Sequence, residues 1–165
     1  MKNNIEENST PIIKNLIKKA LDKLYKEDFH SLICLKHEKH VGERACVFRF
    51  GIYFNQILRR YKQFNGYNLD CEYNRSCEEP KRKVSGPLMT PDVILHKRGS
   101  HDNNFVVMEF KGWWSRDGQE EDLNKLKEMV DPNGTYKYQF GYAIMLNQEE
   151  KGKNRYTIQE VTAKT

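Results

Sequence analysis

The stretch PDVILHKRGSHDNNFVVMEFK, residues 91–111, decides the fold and the function expected of this chain. It contains two apolar runs typical of strands, Val93–His96 and Phe105–Phe110, joined by the polar, turn-rich segment Arg98–Asn104. An acid precedes the first run, and an acid and a lysine lie at the end of the second. The pattern predicts a β-hairpin with an apolar body and charged residues at its open end.

The hairpin is expected to bring two acids together. If it folds about the midpoint between Ser100 and His101, residues whose numbers sum to 201 face each other, and Asp92 faces Glu109. Facing residues have Cβ atoms roughly 4.5–5.5 Å apart, so two carboxylates there can share one cation. His96 and His101 flank the turn, far from the acidic end, and are given no catalytic role.

A lysine is expected on the same face as the second acid. Side chains alternate along a strand, so Glu109 and Lys111 emerge on one face while Met108 and Phe110 point to the other. Carboxylate oxygens suit Mg²⁺ or Mn²⁺, and Mg²⁺ needs only one or two carboxylates. A lysine beside such an ion can orient or deprotonate an attacking water, or stabilise charge on a phosphoryl oxygen. These residues predict phosphodiester hydrolysis; the alternative is a surface hairpin with a Glu–Lys pair at its mouth.

Pro91-Asp92 and Glu109-Phe110-Lys111, at this interval, resemble the motif of the PD-(D/E)xK nuclease superfamily. The resemblance implies an α/β restriction-endonuclease-like core. In that core a three-strand meander, a crossover helix and a further parallel strand form a mixed central sheet flanked by helices. It further implies that Asp92 and Glu109 bind metal, that the backbone carbonyl of Phe110 is a third ligand and that Lys111 positions the water.

The resemblance to the superfamily covers roughly residues 30–147, and a narrower resemblance rests on short stretches within it, including Glu109-Phe110-Lys111. The stretches DCEYNR (Asp70–Arg75) and PDVILHKRG (Pro91–Gly99) resemble a group of small, stand-alone bacterial proteins that are assigned to this superfamily by their motif. One departure from the pattern is Gly112-Trp113-Trp114, two aromatic residues where a second polar residue is frequent. They are expected to pack on the core or at a dimer contact, or to stack on a base.

The segment Val41–Lys62 predicts a core helix that adds a third acid. Extending its apolar stripe back by one turn reaches Glu43, and the resemblance assigns to such an acid a second metal or a metal-bound water. The alternative is that Glu43 only favours the positive end of the helix. The stripe repeats at intervals of three and four residues: Val47, Phe50, Phe54, Ile57 and Tyr61.

The other elements complete the expected sheet. Tyr67–Tyr73 predicts the first strand of the meander, and Gln119–Val130 predicts the crossover helix, which Asp131–Gly134 ends. Tyr138–Leu146 predicts a buried strand parallel to the strand of Glu109, reached by a right-handed crossover. Tyr156–Val161 predicts an edge strand.

An N-terminal helix is expected before this core. Thr10 is predicted as the N-cap and Pro11 as the first helical residue of a helix that ends at Tyr25. Its apolar stripe packs on the core or on a partner: Ile13, Leu16, Ile17, Ala20, Leu21 and Leu24. Its lysines are interpreted as a solvated face.

Several polar residues are weaker candidates for contacts with nucleic acid. The polar, basic segment 74–87 is expected to be a loop beside the site, with three basic residues that contact phosphate or simply face solvent. Those residues are Lys81, Arg82 and Lys83. Lys125 on the crossover helix and Gln139 on the parallel strand that follows it are further candidates.

Length and composition fit one nuclease-like domain. The chain of 165 residues is divided into a flexible segment 1–9, a helix 10–26 and a core of about 30–161. A net charge of +5 and a pI near 8.9 suit a polyanionic partner. There is no apolar run of membrane-spanning length and no apolar signal core, so a cytoplasmic protein is expected.

The cysteines are expected to be reduced and buried, as is usual in a cytosolic chain. There are four of them and no C-x-x-C pair: Cys34, Cys46, Cys71 and Cys77. The alternative is a zinc site that also uses nearby histidines, namely His30, His37 and His40.

The sequence thus predicts a nuclease that depends on Mg²⁺ or Mn²⁺, with DNA as the expected substrate of an endonuclease. RNA or branched DNA is an alternative substrate. A non-catalytic nucleic-acid-binding or regulatory subunit, and a toxin-like or defence component directed by a partner chain, are the other readings. Because one small domain holds one centre and cutting both strands needs two, a homodimer is expected. Its interface is placed on the helix 11–25 or on Trp113-Trp114.

Overall fold

The computed structural model describes residues 9–36, 39–76, 79–82, 88–115 and 117–162. Most of the segment expected to be flexible, residues 1–8, lies outside these ranges. The helices are α1 (Ser9–Asp28), α2 (Glu43–Leu58) and α3 (Gln119–Val130). The strands are β1 (Asn68–Cys71), β2 (Arg75–Ser76), β3 (Glu79–Pro80), β4 (Val93–His96), β5 (Asn104–Gly112), β6 (Phe140–Leu146) and β7 (Tyr156–Val161).

Five strands form one mixed sheet in the order β1-β4-β5-β6-β7, and β2 pairs with β3 apart from it. Strands β1, β4 and β5 form an antiparallel meander, β6 runs parallel to β5 after the crossover through α3, and β7 is antiparallel to β6. The predicted meander, crossover helix, parallel strand and edge strand are therefore confirmed.

The predicted register of the hairpin holds next to the acids and changes near the turn. The pairs whose numbers sum to 201 are Val93 with Met108, Ile94 with Val107 and Leu95 with Val106. The register then shifts by one residue, so His96 pairs with Asn104 instead of Phe105. Such a bulge leaves the pairing at the open end of the hairpin unchanged.

Helices α1 and α2 cover one face of the sheet. The six stripe residues predicted on α1 are all buried with at most 1% exposure, and they share one core with Phe50, Phe54 and Phe110. The helix runs from Ser9 to Asp28, so Thr10 is a helical residue and the predicted N-cap is wrong. Its last turn extends beyond Tyr25 because Asp28 accepts hydrogen bonds from Arg49 and Tyr53 of α2.

Helix α3 covers the opposite face, so the sheet lies between two layers of helix. Its buried residues Leu126 and Met129 pack with Ile94, Val107 and Tyr138 in a second apolar cluster. None of the helices in the described part of the chain combines the length and the apolar character that a transmembrane span requires.

Candidate active site

Asp92 lies directly before β4, and its carboxylate faces the backbone of β5. Asp92 Oδ2 accepts a hydrogen bond from the Phe110 N–H at 2.7 Å, and its backbone carbonyl accepts one from Glu72 N–H at 3.0 Å. Burial raises the pKa of the carboxyl, and the hydrogen bond from Phe110 only partly offsets this. The backbone of β5 therefore holds Asp92 at the open end of the hairpin, as the predicted register requires.

Glu109 is the most deeply buried acid of this group, with 3% exposure. Burial, and then the nearby charge of Asp92, raise its pKa well above the ordinary value, while Lys125 acts in the opposite direction. Its Oε2 lies 2.7 Å from Lys125 Nζ. Its Oε1 is buried and has no hydrogen-bond partner among the described residues. A buried carboxylate oxygen without a partner is costly unless a cation or a donor satisfies it.

A chain of alternating charges runs from Glu109 to Lys111 through α3. Lys125 contacts Glu109 and lies 3.5 Å from Asp122 Oδ1, and Lys111 Nζ lies 3.1 Å from Asp122 Oδ2. Burial disfavours the charged form of Lys111, but the Asp122 carboxylate outweighs this and raises the lysine pKa. Lys125 Nζ also donates to the Thr90 carbonyl at 3.4 Å. Each lysine is thus held in its charged form beside the acids.

Asp122 is a site residue that the sequence reasoning missed. It lies four residues before Leu126 and seven before Met129, on the stripe of α3 that faces the sheet. An acid on a buried stripe was the available signal, the same one that singled out Glu43. The first turn of α3 obscured it, because it also contains the exposed acids Glu120 and Glu121.

Glu43 is the first residue of α2 and joins the group from the other side of β5. Its Oε2 accepts a hydrogen bond from the Gly112 N–H at 3.0 Å. Burial raises the pKa of this half-buried carboxyl; the Gly112 hydrogen bond and Lys111 lower it, and Asp92 raises it. Glu43 and Asp92 both line a cavity of about 440 Å³. Glu43 therefore lies both at the helix N-terminus and beside the acids, and its role at a metal stays a prediction.

The aromatic pair after Lys111 packs against the protein itself. Trp113 Nε1 donates to the Ile33 carbonyl at 2.9 Å, and the Trp114 ring is stacked on His40 with centroids 4.3 Å apart and planes 4° apart. The Trp114 ring also lies on the backbone of Gly112, where a Cβ atom would come within 2.3 Å of it. This close approach requires glycine at the residue whose N–H holds Glu43.

The predicted basic loop does not form one exposed cluster. Lys81 is 2% exposed, and its Nζ donates to the Tyr73 carbonyl and the Tyr138 hydroxyl, each at 3.3 Å. Arg82 is exposed, and its backbone N–H donates to the Tyr136 hydroxyl at 2.7 Å. Lys83 lies outside the described residues. Lys81 was expected to contact phosphate from a surface loop, but tyrosines enclose its stem and its ammonium group, so it is buried instead.

Of the two remaining candidates, only Lys125 joins the acids. Gln139 is exposed and precedes β6, and its N–H donates to the Asn104 carbonyl at the turn end of β5. Asn104 is five residues from Glu109 along β5, so these two residues are about 16 Å apart. Gln139 therefore lies away from the acidic end.

The cysteines and histidines of the described chain form no metal site. Cys34, Cys46 and Cys71 are free thiols, and burial raises the pKa of Cys46 to about 12. Cys77 and His37 lie outside the described residues. Within the described ranges, no three His, Cys, Asp or Glu side chains are arranged as a ready set of metal ligands.

Comparison with models of protein families, with curated proteins and with solved structures found no match to this chain.

Proposed function

We propose that this protein hydrolyses phosphodiester bonds of nucleic acid with the help of Mg²⁺ or Mn²⁺, as a DNA endonuclease built on a restriction-endonuclease-like core. The observation that carries this proposal is the convergence of Asp92, Glu109 and Lys111 at the open end of the β4–β5 hairpin, with Glu43 beside them. These three acids and the lysine lie together at the open end of the hairpin, where they have no role in packing the apolar core. The sheet topology fits the proposed core.

The donor set fits a small, hard cation. Asp92 and Glu109 supply carboxylate oxygens, and Glu109 Oε1 is buried without a partner among the described residues. Mg²⁺ commonly keeps several waters and takes only one or two protein carboxylates, so a cluster of three acidic ligands is not needed. The backbone carbonyl of Phe110 and the carboxylate of Glu43 are the further oxygens that would hold the ion or its waters.

Each residue of the group has a defined task in this reaction. A bound Mg²⁺ supplies a Lewis acid that polarises the phosphoryl oxygen. Lys111, held in its charged form by Asp122, stabilises negative charge that develops on the phosphoryl group and orients the attacking water. Lys125 neutralises Glu109 when no metal is bound and keeps this buried acid compatible with folding.

The burial of Glu109 favours a catalyst over a non-catalytic subunit. A domain that only binds nucleic acid needs cations at its surface and has no need of a buried acid whose pKa is raised by a second acid nearby. The net charge of +5 suits any nucleic acid, so RNA and branched DNA are the rival substrates. A toxin-like or defence component directed by a partner chain would have the same acids, so this alternative is compatible with the site.

The decisive experiment is a panel of substrates with the purified full chain. Single-stranded, double-stranded and branched DNA and single-stranded RNA are each incubated with Mg²⁺, Mn²⁺ or EDTA, and the products are resolved by length. Cleavage of DNA that requires metal and is lost in Glu109→Gln supports the proposal. Failure to cut any substrate with either ion, by folded protein, contradicts it.

A further inference from the structure

A second cavity, of about 280 Å³, lies on the α3 side of the sheet and shares residues with the candidate active site. Glu109 and Lys111 line one side of it, and Gln159 and Thr157 of β7 line the other. The first turns of α3 supply a wall through Gln119. The cavity is therefore continuous with the proposed catalytic centre.

The register of the sheet explains why a hollow exists there. Glu109 pairs with Ala143, and Ala143 pairs with Gln159, so these side chains form one row on the same face. The middle residue of the row is small, and it leaves space between the acid and the glutamine. Two strand spacings separate Glu109 from Gln159, about 10 Å.

The lining has the chemistry of a site for a neutral, flat group. Gln119 and Gln159 carry amides with both donors and acceptors, while Leu123 and Met145 supply apolar walls. Among the described residues that line it, Lys111 is the one basic side chain, and its charge is paired with Asp122. A second phosphate would meet acids and no free cation, so a phosphate is a poor occupant.

We propose that this cavity receives the unstacked base of the nucleotide next to the scissile phosphate, and that Gln159 recognises the hydrogen-bonding edge of that base. This inference rests on the proposed nuclease function, because the phosphate is placed at Asp92, Glu109 and Lys111. The separation of about 10 Å from Glu109 is comparable to the reach from a backbone phosphate to its base edge. A base enters such a cavity most readily from a single strand or a mismatch, where unstacking costs least.

The first test compares wild type with Gln159→Leu and with Gln63→Leu. Gln63 is an exposed glutamine beyond the C-terminal end of α2, about 24 Å of helix away from Glu43. Products from a randomised single-stranded DNA are sequenced in Mg²⁺. We expect wild type and Gln63→Leu to share a base preference at one position next to the cut. Gln159→Leu should lower that preference by at least about fivefold, the scale of one lost base contact.

The second test measures binding without cleavage. Anisotropy of a labelled single-stranded oligonucleotide of the preferred sequence is titrated with Lys111→Ala, alone and combined with Gln159→Leu or Gln63→Leu. Weaker binding with Gln159→Leu but not with Gln63→Leu supports the base site. Ala143→Leu in the same background fills the hollow without removing an amide, and weaker binding by this variant supports the base site too.

The outcomes separate the two proposals. If wild type cleaves and Gln159→Leu changes neither base preference nor affinity, the base site is overturned and the nuclease function stands. If wild type cuts nothing but binding still depends on Gln159, the nuclease function is overturned, and Gln159 belongs to a base-binding site that is not next to a scissile phosphate. If the protein neither cleaves nor binds oligonucleotides, both are overturned.

Discussion

At the scale of single residues, the candidate site places charged side chains where burial disfavours their charge. Glu109 is 3% exposed and close to Asp92, an arrangement that repulsion and desolvation both disfavour. Lys125 compensates at 2.7 Å from Glu109 Oε2. In the metal-free protein, Lys125 therefore supplies the positive charge beside Glu109 that a metal ion would supply in the proposed function.

The first prediction concerns Lys111. Its side chain belongs to neither apolar cluster, and Lys125 remains 3.5 Å from Asp122 when Lys111 is removed, so Lys111→Ala should still fold. Cleavage should fall by about two to four orders of magnitude, the scale of losing a positioned acid–base or electrostatic group. Steady-state cleavage assays measure this, with the exposed loop residue Lys153→Ala as control. Unchanged cleavage by Lys111→Ala would remove the assigned role.

The second prediction concerns Asp92. Burial raises its pKa, so the charged form strains the metal-free protein, whereas asparagine keeps an oxygen that accepts from Phe110 N–H. Asp92→Asn should stabilise the protein in EDTA by about 0.5–2 kcal/mol, the range for relieving strain at a functional site. Mg²⁺ should raise the melting temperature of wild type by mass action and have little effect on the variant. The variant should also lose cleavage.

Four melting curves test this prediction, for wild type and Asp92→Asn with Mg²⁺ and with EDTA. Asp102→Asn is the matched control, because Asp102 is an exposed acid at the turn of the same hairpin. A variant that melts below wild type in EDTA and keeps the full Mg²⁺ shift would show that Asp92 only caps the backbone and that the metal binds elsewhere.

The third prediction concerns pH and Lys81. Burial lowers the pKa of Lys81 to about 8, against 10.5 in the unfolded chain. Between these values the unfolded chain binds more protons, so stability rises with pH, up to about 3 kcal/mol in total. Lys81→Met should be more stable than wild type at pH 7 by about 1–3 kcal/mol and should lose this rise.

Urea unfolding at pH 7 and pH 9.5 measures that difference, with the exposed Lys151→Met as control. If wild type and Lys81→Met show the same change in unfolding free energy between the two pH values, Lys81 is not desolvated as the structure indicates.

At the scale of elements, the end of β5 joins the acids of the candidate site to the helix layer formed by α1 and α2. Gly112 N–H holds Glu43 at the start of α2, and the Trp114 ring covers the same glycine. One residue of backbone thereby sets the distance between α2 and the hairpin.

The fourth prediction follows from this contact. The Cβ of Gly112→Ala would lie 2.3 Å from the Trp114 ring, so the ring must move away from Gly112 and His40. We expect a loss of about 1–3 kcal/mol of stability, as for overpacking, and weaker cleavage because relief of the clash shifts the backbone N–H of this residue relative to Glu43. Thermal melting and tryptophan fluorescence measure both effects.

Gly42→Ala is the control for that variant. A Cβ at Gly42 has nothing within 4 Å, and this residue also lies at the start of α2. If Gly112→Ala melts like Gly42→Ala and retains wild-type fluorescence, the ring does not depend on the glycine.

At the scale of the whole molecule, the surfaces first considered for a dimer are largely used within the chain. The apolar stripe of α1 is buried against α2 and the sheet, and Trp113 bonds to the Ile33 carbonyl. The large apolar side chains that stay exposed include Phe48 at 62% and Leu88 at 54%. A homodimer would therefore form through a surface other than the apolar face of α1.

The fifth prediction is that the protein is a homodimer when it cuts both strands of a duplex. One domain with one acidic group hydrolyses one bond at a time, and a two-fold pair places two such groups on opposite strands. Light scattering at the concentration of the cleavage assay measures the oligomeric state. A monomer that makes clean double-strand cuts contradicts the prediction.

Several features were predictable because each depends on short-range patterns. Folding 91–111 about its midpoint predicted the pairing of Val93 with Met108, and the stop signal at 131–134 predicted the end of α3. The bulge at His96 was not predictable, because local turn geometry decides it. The N-cap predicted at Thr10 is wrong for another reason, because the exact ends of helices vary by one or two residues.

The sequence by itself determined the order of the strands and helices, the face on which Glu109 and Lys111 emerge, and the approach of Asp92, because strand periodicity and pairing are local properties. Only the tertiary structure decided which side chains surround those acids. Lys125 and Asp122 lie beside the acids because α3 packs across β5. Lys81 is buried because tyrosines from distant segments enclose it. Such contacts depend on how layers pack. The apolar stripe of α3 places Asp122 on the face toward the sheet, but it does not show that Asp122 meets Lys111 and Lys125.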